Sequence, residues 1–244
     1  MATVTIRKPP VNSVSVELMR DLADALEGLD KDSATRAVVL ATEGKVFCAG
    51  ADLSGRASEV GLDARTSNPL YEQAARLYST ELPIVAAVQG AAVGAGLGLA
   101  LVADFRVAAP EAKFAANFTK LGFHPGFGLT YTLPRLIGPQ NATRMFLTGE
   151  RFDAEQALKM GLADEVVPLD QLSARARALA SSIAENAPLA VRSTRKTLRA
   201  GLAAGVKAAT DHEFVAQQWL MKTEDFKEGV KSVAERRPGD FKGR

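Results

Sequence analysis

The most constraining stretch of the chain is Val88-Gln89-Gly90-Ala91-Ala92-Val93-Gly94-Ala95-Gly96-Leu97-Gly98, a run of small residues directly after the apolar segment 84–88. A strand leading into so many glycines and alanines turns tightly, and its backbone can come close to a ligand. The run opens a helix of small residues that ends near Asp104. The N–H groups of a helix's first turn have no partner inside the helix, and the dipole there is positive. A second stretch has the same character: Val46-Phe47-Cys48-Ala49-Gly50-Ala51-Asp52-Leu53 follows the buried strand 37–40. Either loop alone reads equally well as an ordinary tight turn. One N–H donor from each, aimed at a single oxygen, would form an oxyanion hole.

Around these loops the pattern is that of an α/β core followed by a helical tail. Val4 and Ile6 alternate with Thr3 and Thr5, predicting a short opening strand stopped by Pro9-Pro10. Ser15 is the expected N-cap of a helix with Leu18, Met19, Leu22, Leu26 and Leu29 on one face. A helix over 69–78 ends before Pro83, and short strands are expected over 105–108 and 113–116. Helices are predicted over 126–137 and 153–160; Asp153 and Gln156 form a capping box, and Gly161 stops the second. A last strand, 165–168, precedes a chain that reads as helix throughout. "Strand, strand, helix" recurs loosely. The organisation read from this is a core over 1–186 and a helical region over 187–244.

Bulk properties exclude several classes. Nearly half of the 244 residues are apolar, enough for a sizeable core and unlike a disordered chain. The net charge of +2 argues against a nucleic-acid surface, although the tail 231–244 is locally basic. The most apolar stretch, 82–102, holds Gln89 and several glycines and is flanked by Glu81 and Asp104; it reads as strand, turn and buried helix, and no membrane association is expected. Cys48 is the only cysteine, which precludes an internal disulfide and fits a reducing compartment. The opening residues have no apolar signal region, so a cytoplasmic location is expected. No cluster of His, Cys or carboxylates has metal-ligand spacing. Gly-Ala-Gly-Leu-Gly misses the GxGxxG spacing, so a dinucleotide loop is rejected.

Taken together the motifs are far more specific. The stretches "RKPPVNSVSVELM", "RAVVLATEGKVFCAGADLSG", "LPIVAAVQGAAVGAGLGLALVADFRVA", "LGFHPGFG", "GERFDAEQALKMGLADEVV" and "ERRPGDF" resemble, in order and along nearly the whole chain, the crotonase (enoyl-CoA hydratase/isomerase) superfamily. The resemblance implies a spiral, or superhelix, of ββα units and a C-terminal helical region that trimerises. It implies an acyl-CoA thioester as partner, with coenzyme A part of the substrate and no separate cofactor. Ala51 N–H and Ala95 N–H would hold the thioester oxygen, flanked by Gly94 and Gly96. The Asp52–Leu53 backbone would lie against the CoA adenine, Tyr71 would line the acyl pocket, and Arg236 would approach the CoA phosphates in a homotrimer or homohexamer.

The same resemblance exposes a departure. Hydratases of the superfamily carry two catalytic glutamates, at the positions held here by Gly98 and Phe118; some isomerases and dehalogenases place a carboxylate at the position of Gly126. None of the three can transfer a proton, which leaves Phe118 and Gly126 as pocket-wall residues. His124, in the same segment as Gly126, is the candidate proton-transfer group, since imidazole titrates near neutrality; a histidine hydrogen-bonded at a helix start is the plainer alternative. Cys48 reads as a packed residue, Asp104 as structural and His212 as solvated. The resulting expectation is a hydratase/isomerase-type enzyme using His124 or a bound water. Alternatives are a decarboxylase of acyl thioesters with the same fold and an acyl-CoA-binding protein without turnover.

Overall fold

The computed structural model of the chain describes residues 1–51 and 68–244. The first half runs β1 (Ala2–Ile6), α1 (Val16–Lys31), β2 (Val38–Thr42), α2 (Pro69–Leu77), β3 (Ile84–Val88), β4 (Ala91–Val93) and α3 (Ala95–Val102). The second runs β5 (Phe105–Ala108), β6 (Lys113–Ala115), α4 (Leu129–Thr148), β7 (Arg151–Asp153), α5 (Ala154–Lys159), β8 (Glu165–Val166) and α6 (Leu169–Ala184). Helices α7 (Pro188–Leu198), α8 (Leu202–Leu220) and α9 (Glu224–Ala234) follow.

One sheet is wholly parallel, in the order β1-β2-β3-β5-β8; a smaller one has the order β4-β6-β7, its last pair antiparallel. Twice, a strand of the large sheet is followed by a strand of the small sheet and then a helix: β3-β4-α3 and β5-β6-α4. Alternation along the strands decides which core each residue joins. Val38, Leu40, Ile84, Ala86 and Val88 enter the main core, whereas Ala37, Val39, Val85, Ala87 and Val107 meet Leu172, Ala176 and Ala180 of α6 on the other face. Burial on both faces is why these strands read as unbroken apolar runs.

The caps are local and match the sequence. Ser15 accepts the Leu18 N–H at 3.2 Å, and Asp153 and Gln156 cap each other's backbone at 2.9 Å. Helix α2 spans Pro69–Leu77, with Asn68 accepting the Leu70 N–H. Three differences stand out. The glycine run contains β4, which the small residues conceal. Helix α4 begins at Leu129, past the expected 126, because Phe127 and Gly128 have φ of +64° and +72°. It also continues to Thr148, across a break at Gly138 (φ +79°); Gly-Pro reads as a stop, but Pro139 restarts the helix, where a missing N–H costs nothing. Strand β7 is too short to be legible.

Asp104 is structural, as read. Its carboxylate accepts from Ile84 N–H at 2.8 Å, Arg195 Nε at 2.9 Å and Arg199 Nη1 at 3.1 Å. Arg195 Nη1 also donates to Thr80 O, and Arg199 Nη2 to Val102 O at 3.3 Å. Helix α7 is thereby tied to the C-terminal end of α3. Val206, Phe214 and Phe226 join the main core, so the chain after 187 shares the packing of the first part. Among the described residues, no helix is long and apolar enough to cross a membrane.

Candidate active site

The two small-residue loops lie side by side. Cys48 N–H donates to Ala91 O at 2.9 Å and Val93 N–H to Cys48 O at 3.0 Å, joining the first loop to β4. The glycines are there for this contact: a Cβ on Gly90 would stand 2.0 Å from Lys45 O, and one on Gly96 2.1 Å from Cys48 O. One on Gly50 would stand 2.7 Å from Val93 O and 3.5 Å from Ala95 N. Ala51, the next residue, is therefore beside the N-terminus of α3. Among the described residues, neither Ala51 N–H nor Ala95 N–H donates to a backbone carbonyl. Ala95 is the first residue of α3, and its N-cap, Gly94 (φ +56°), supplies no side-chain cap. Gly94 N–H is itself engaged by Ala115 O at 2.9 Å.

Asn12 holds the first loop from the other side. Its Nδ2 donates to Glu43 O and Val46 O, each at 2.8 Å, and its Oδ1 accepts the Lys8 N–H at 3.0 Å. Burial pushes the Cys48 thiol up to about 11, so it is protonated and non-nucleophilic near neutrality, in keeping with a packed residue. Asp52 and Leu53 lie outside the described residues.

Around α3 the pocket-wall residues form two groups. Phe118 is buried, with its ring tip 3.6 Å from where a Cβ on Gly94 would be, and it packs edge-on against Phe123. Tyr71 and Gly126 form the other group, through Gln217. The Tyr71 hydroxyl donates to Gln217 Oε1 at 2.7 Å, and Gln217 Nε2 donates to His124 O at 2.8 Å. A Cβ on Gly126 would stand 2.0 Å from Tyr71 Oη. Gly98 is backed by Phe127: a Cβ there would be 2.4 Å from its Cδ1.

His124 is half-buried, with Nδ1 2.8 Å from Pro125 O and its ring edge-on to exposed His212 at 5.9 Å between centroids. The ring therefore meets α8. Glu213, next to His212, is buried and accepts from Gly128 N–H at 2.7 Å, Thr130 N–H at 3.0 Å and Thr130 Oγ1 at 2.6 Å. Burial raises its pKa, against the lowering effect of those hydrogen bonds. It caps the start of α4 from another helix. No local sequence pattern marks Glu213, Gln217 or Phe127 as part of the site: Asp211-His212-Glu213 has the polarity of a solvated face, yet Glu213, Gln217 and Phe127 are all buried.

Arg236, with φ of +56°, lies on a separate cleft of about 940 Å³ that also has Lys120, Arg144, Arg151 and Arg237 on its walls. Arg237 is paired with Glu228 and Glu235, and Arg144 with Glu150; among the described residues Arg236 has no ion-pair partner. The described residues contain no group of His, Cys and carboxylates able to hold a metal.

The fold is shared with known proteins. The family model for enoyl-CoA hydratase/isomerase matches residues 1–244. A probable enoyl-CoA hydratase of Rhodobacter capsulatus is 38% identical over 250 positions, covering 100% of this chain and 95% of that protein. The crotonyl-CoA hydratase of Syntrophomonas wolfei is 32% identical over 99% of this chain and 94% of its own length. The crystal structure of an enoyl-CoA hydratase/isomerase from Pseudoalteromonas atlantica superposes with a TM-score of 0.87 at 32% identity, covering 98% of this chain and 95% of that one. The chain belongs to the enoyl-CoA hydratase/isomerase family, within the crotonase superfamily.

Proposed function

We propose that the chain binds an acyl-CoA thioester with its carbonyl oxygen between Ala51 N–H and Ala95 N–H, and stabilises an enolate-like form of the acyl group. The observation that carries this reading is the seating of the first loop on the start of α3, with the Cβ position of Gly50 3.5 Å from Ala95 N. When a proton leaves the acyl α-carbon, negative charge gathers on the thioester oxygen. Two backbone donors and a helix N-terminus, already in place, stabilise that charge without reorganising. The relatives' names point to the same substrate class, since one is a crotonyl-CoA hydratase and another a 2,3-dehydroadipyl-CoA hydratase.

Two-glutamate hydration does not fit, because Gly98, Phe118 and Gly126 carry no carboxylate. In the catalytic reading His124 moves the proton. A carbonyl only accepts, so Nδ1 carries the hydrogen in its contact with Pro125 O; a neutral ring then has Nε2 to accept. A second reading, an acyl-CoA binder without turnover, is favoured by the packing at 98 and 126, where Phe127 and Tyr71 take the space of any side chain. Arg236 meets the CoA phosphates in the proposed trimer or dimer of trimers.

Crotonyl-CoA separates the readings. Binding by calorimetry with slow or no loss of enoyl absorbance is the expected result. Hydration at ordinary enzymic rates, roughly 1–10³ per second, would overturn the argument from the missing carboxylates. Release of carbon dioxide from a malonyl-type thioester would place the activity in decarboxylation.

A further inference from the structure

Phe127 lies in the same segment as His124 and Gly126, and its ring stands where α3 has no side chain. We infer that Phe127 closes the inner end of the acyl site and makes the chain select short, uncharged acyl groups. The inference rests on the reading of Ala51 and Ala95 as the thioester oxygen's partners.

Residue 98 is one turn along α3 from Ala95, on the same face. An acyl group whose carbonyl is held at the start of α3 therefore extends toward that face. A Cβ at 98 would lie 2.4 Å from Phe127 Cδ1, 2.8 Å from Cγ and 3.0 Å from Cβ, so the ring occupies the space directly in front of Gly98. The ring has no solvent exposure. Phe118 stands beside Gly94 at the helix start, its ring tip at ordinary contact distance, 3.6 Å from where a Cβ would be. Two phenyl rings thus border the first turn of α3, and neither offers a hydrogen-bond donor to a carboxylated acyl end, whose burial against them is costly.

The ring is held in place by its neighbours on both sides. Phe127 has φ of +64°, a region side-chain-bearing residues rarely enter. Gly126 is pressed on the Tyr71 hydroxyl, and Gly128 N–H is fixed by Glu213 Oε2 at 2.7 Å. Strained backbone that its surroundings over-determine in this way clusters at ligand sites. A ring that merely filled the core would not set acyl preference, and that difference can be measured.

The test compares wild type, Phe127→Ala and Phe127→Leu by titration calorimetry with free CoA, butyryl-CoA, octanoyl-CoA and glutaryl-CoA. Wild type is expected to prefer butyryl-CoA over the other two esters by about tenfold or more, the scale set by a few methylenes in a pocket. Phe127→Ala is expected to raise octanoyl-CoA affinity relative to butyryl-CoA by a similar factor, with free CoA unchanged and Phe127→Leu between. An unchanged octanoyl-to-butyryl ratio in both folded variants would overturn this inference alone. Failure of wild type to bind any of the esters would overturn the thioester reading and this inference with it. Separately, Gly98→Ala should lower Tm in wild type and leave it nearly unchanged in Phe127→Ala; an equal Tm drop in both would refute the claim that the ring fills this space.

Discussion

Asn12 does for the first loop what no glycine can. It is buried, has φ of +52°, and its carboxamide makes hydrogen bonds to Lys8, Glu43 and Val46. At about 0.5–1.5 kcal/mol for each bond, Asn12→Ala is expected to lose about 2–3 kcal/mol in denaturant unfolding. Acyl-CoA affinity should weaken too, because the loop that carries Ala51 loses its anchor. A fully stable variant would show that water replaces the carboxamide. If His124 moves the proton, His124→Gln should cut turnover by about 10²–10⁴ and leave acyl-CoA affinity unchanged; equal turnover in the variant would remove the residue from the mechanism.

The C-terminal end of helix α7 is held by one carboxylate, while Arg192 nearer its start donates to Asp30 O at 3.0 Å. Asp104 pairs with Arg195 and Arg199, while Arg195 Nη2 and Arg199 Nε have no partner among the described residues. Asp104→Ala would leave two mostly buried guanidiniums unpaired, a loss of about 3–5 kcal/mol, read as a lower midpoint in urea. A smaller loss than that of Asn12→Ala would mean that α7 simply detaches. Helix α9 holds the start of the tail through Glu228, and its end through Asp225, which accepts from Lys242 N–H at 2.6 Å and Gly243 N–H at 2.8 Å. Glu228 is held down to about 2 from its ordinary 4.5 by the Arg237 guanidinium and, after that, by the Asp240 N–H. For a depressed carboxyl, the stabilisation is complete above the unfolded pKa and lost as pH falls through the folded one. Amide signals of residues 239–240 should therefore keep their docked positions at pH 5 and lose them between 4.5 and about 2. Glu228→Gln should show the undocked positions already at pH 5, and docked signals in that variant would refute the tie.

At the scale of the whole molecule, assembly is the open proposal. Val206 and Phe214, part of the apolar set in the C-terminal helices, turn inward, and Leu202 and Leu220 pack partly on the core. Leu198, at 82% exposure, with Val215 and Trp219 at 61%, is left outside. Apolar side chains so exposed fit an interface. Light scattering at micromolar concentration is expected to give a trimer or hexamer, and a monomer would refute it. Trp219 is the chain's only tryptophan, so its emission should shift to longer wavelength on dilution if α8 lies in that interface.

The sequence by itself determined whatever depends on near neighbours in the chain. The Ser15 and Asp153 caps, the buried parallel strands and the two small-residue loops are local patterns of turn chemistry and alternation, and they carry the family with them. Tertiary structure alone decided what faces each glycine. Nothing near Gly98 in the chain announces Phe127, and nothing near Gly126 announces Tyr71. Glu213 sits in a stretch as polar as any solvated helix, yet it is buried because the start of α4 offers it unpaired N–H groups. A missing side chain leaves a space, and which distant residue fills it depends on packing that chain order does not encode.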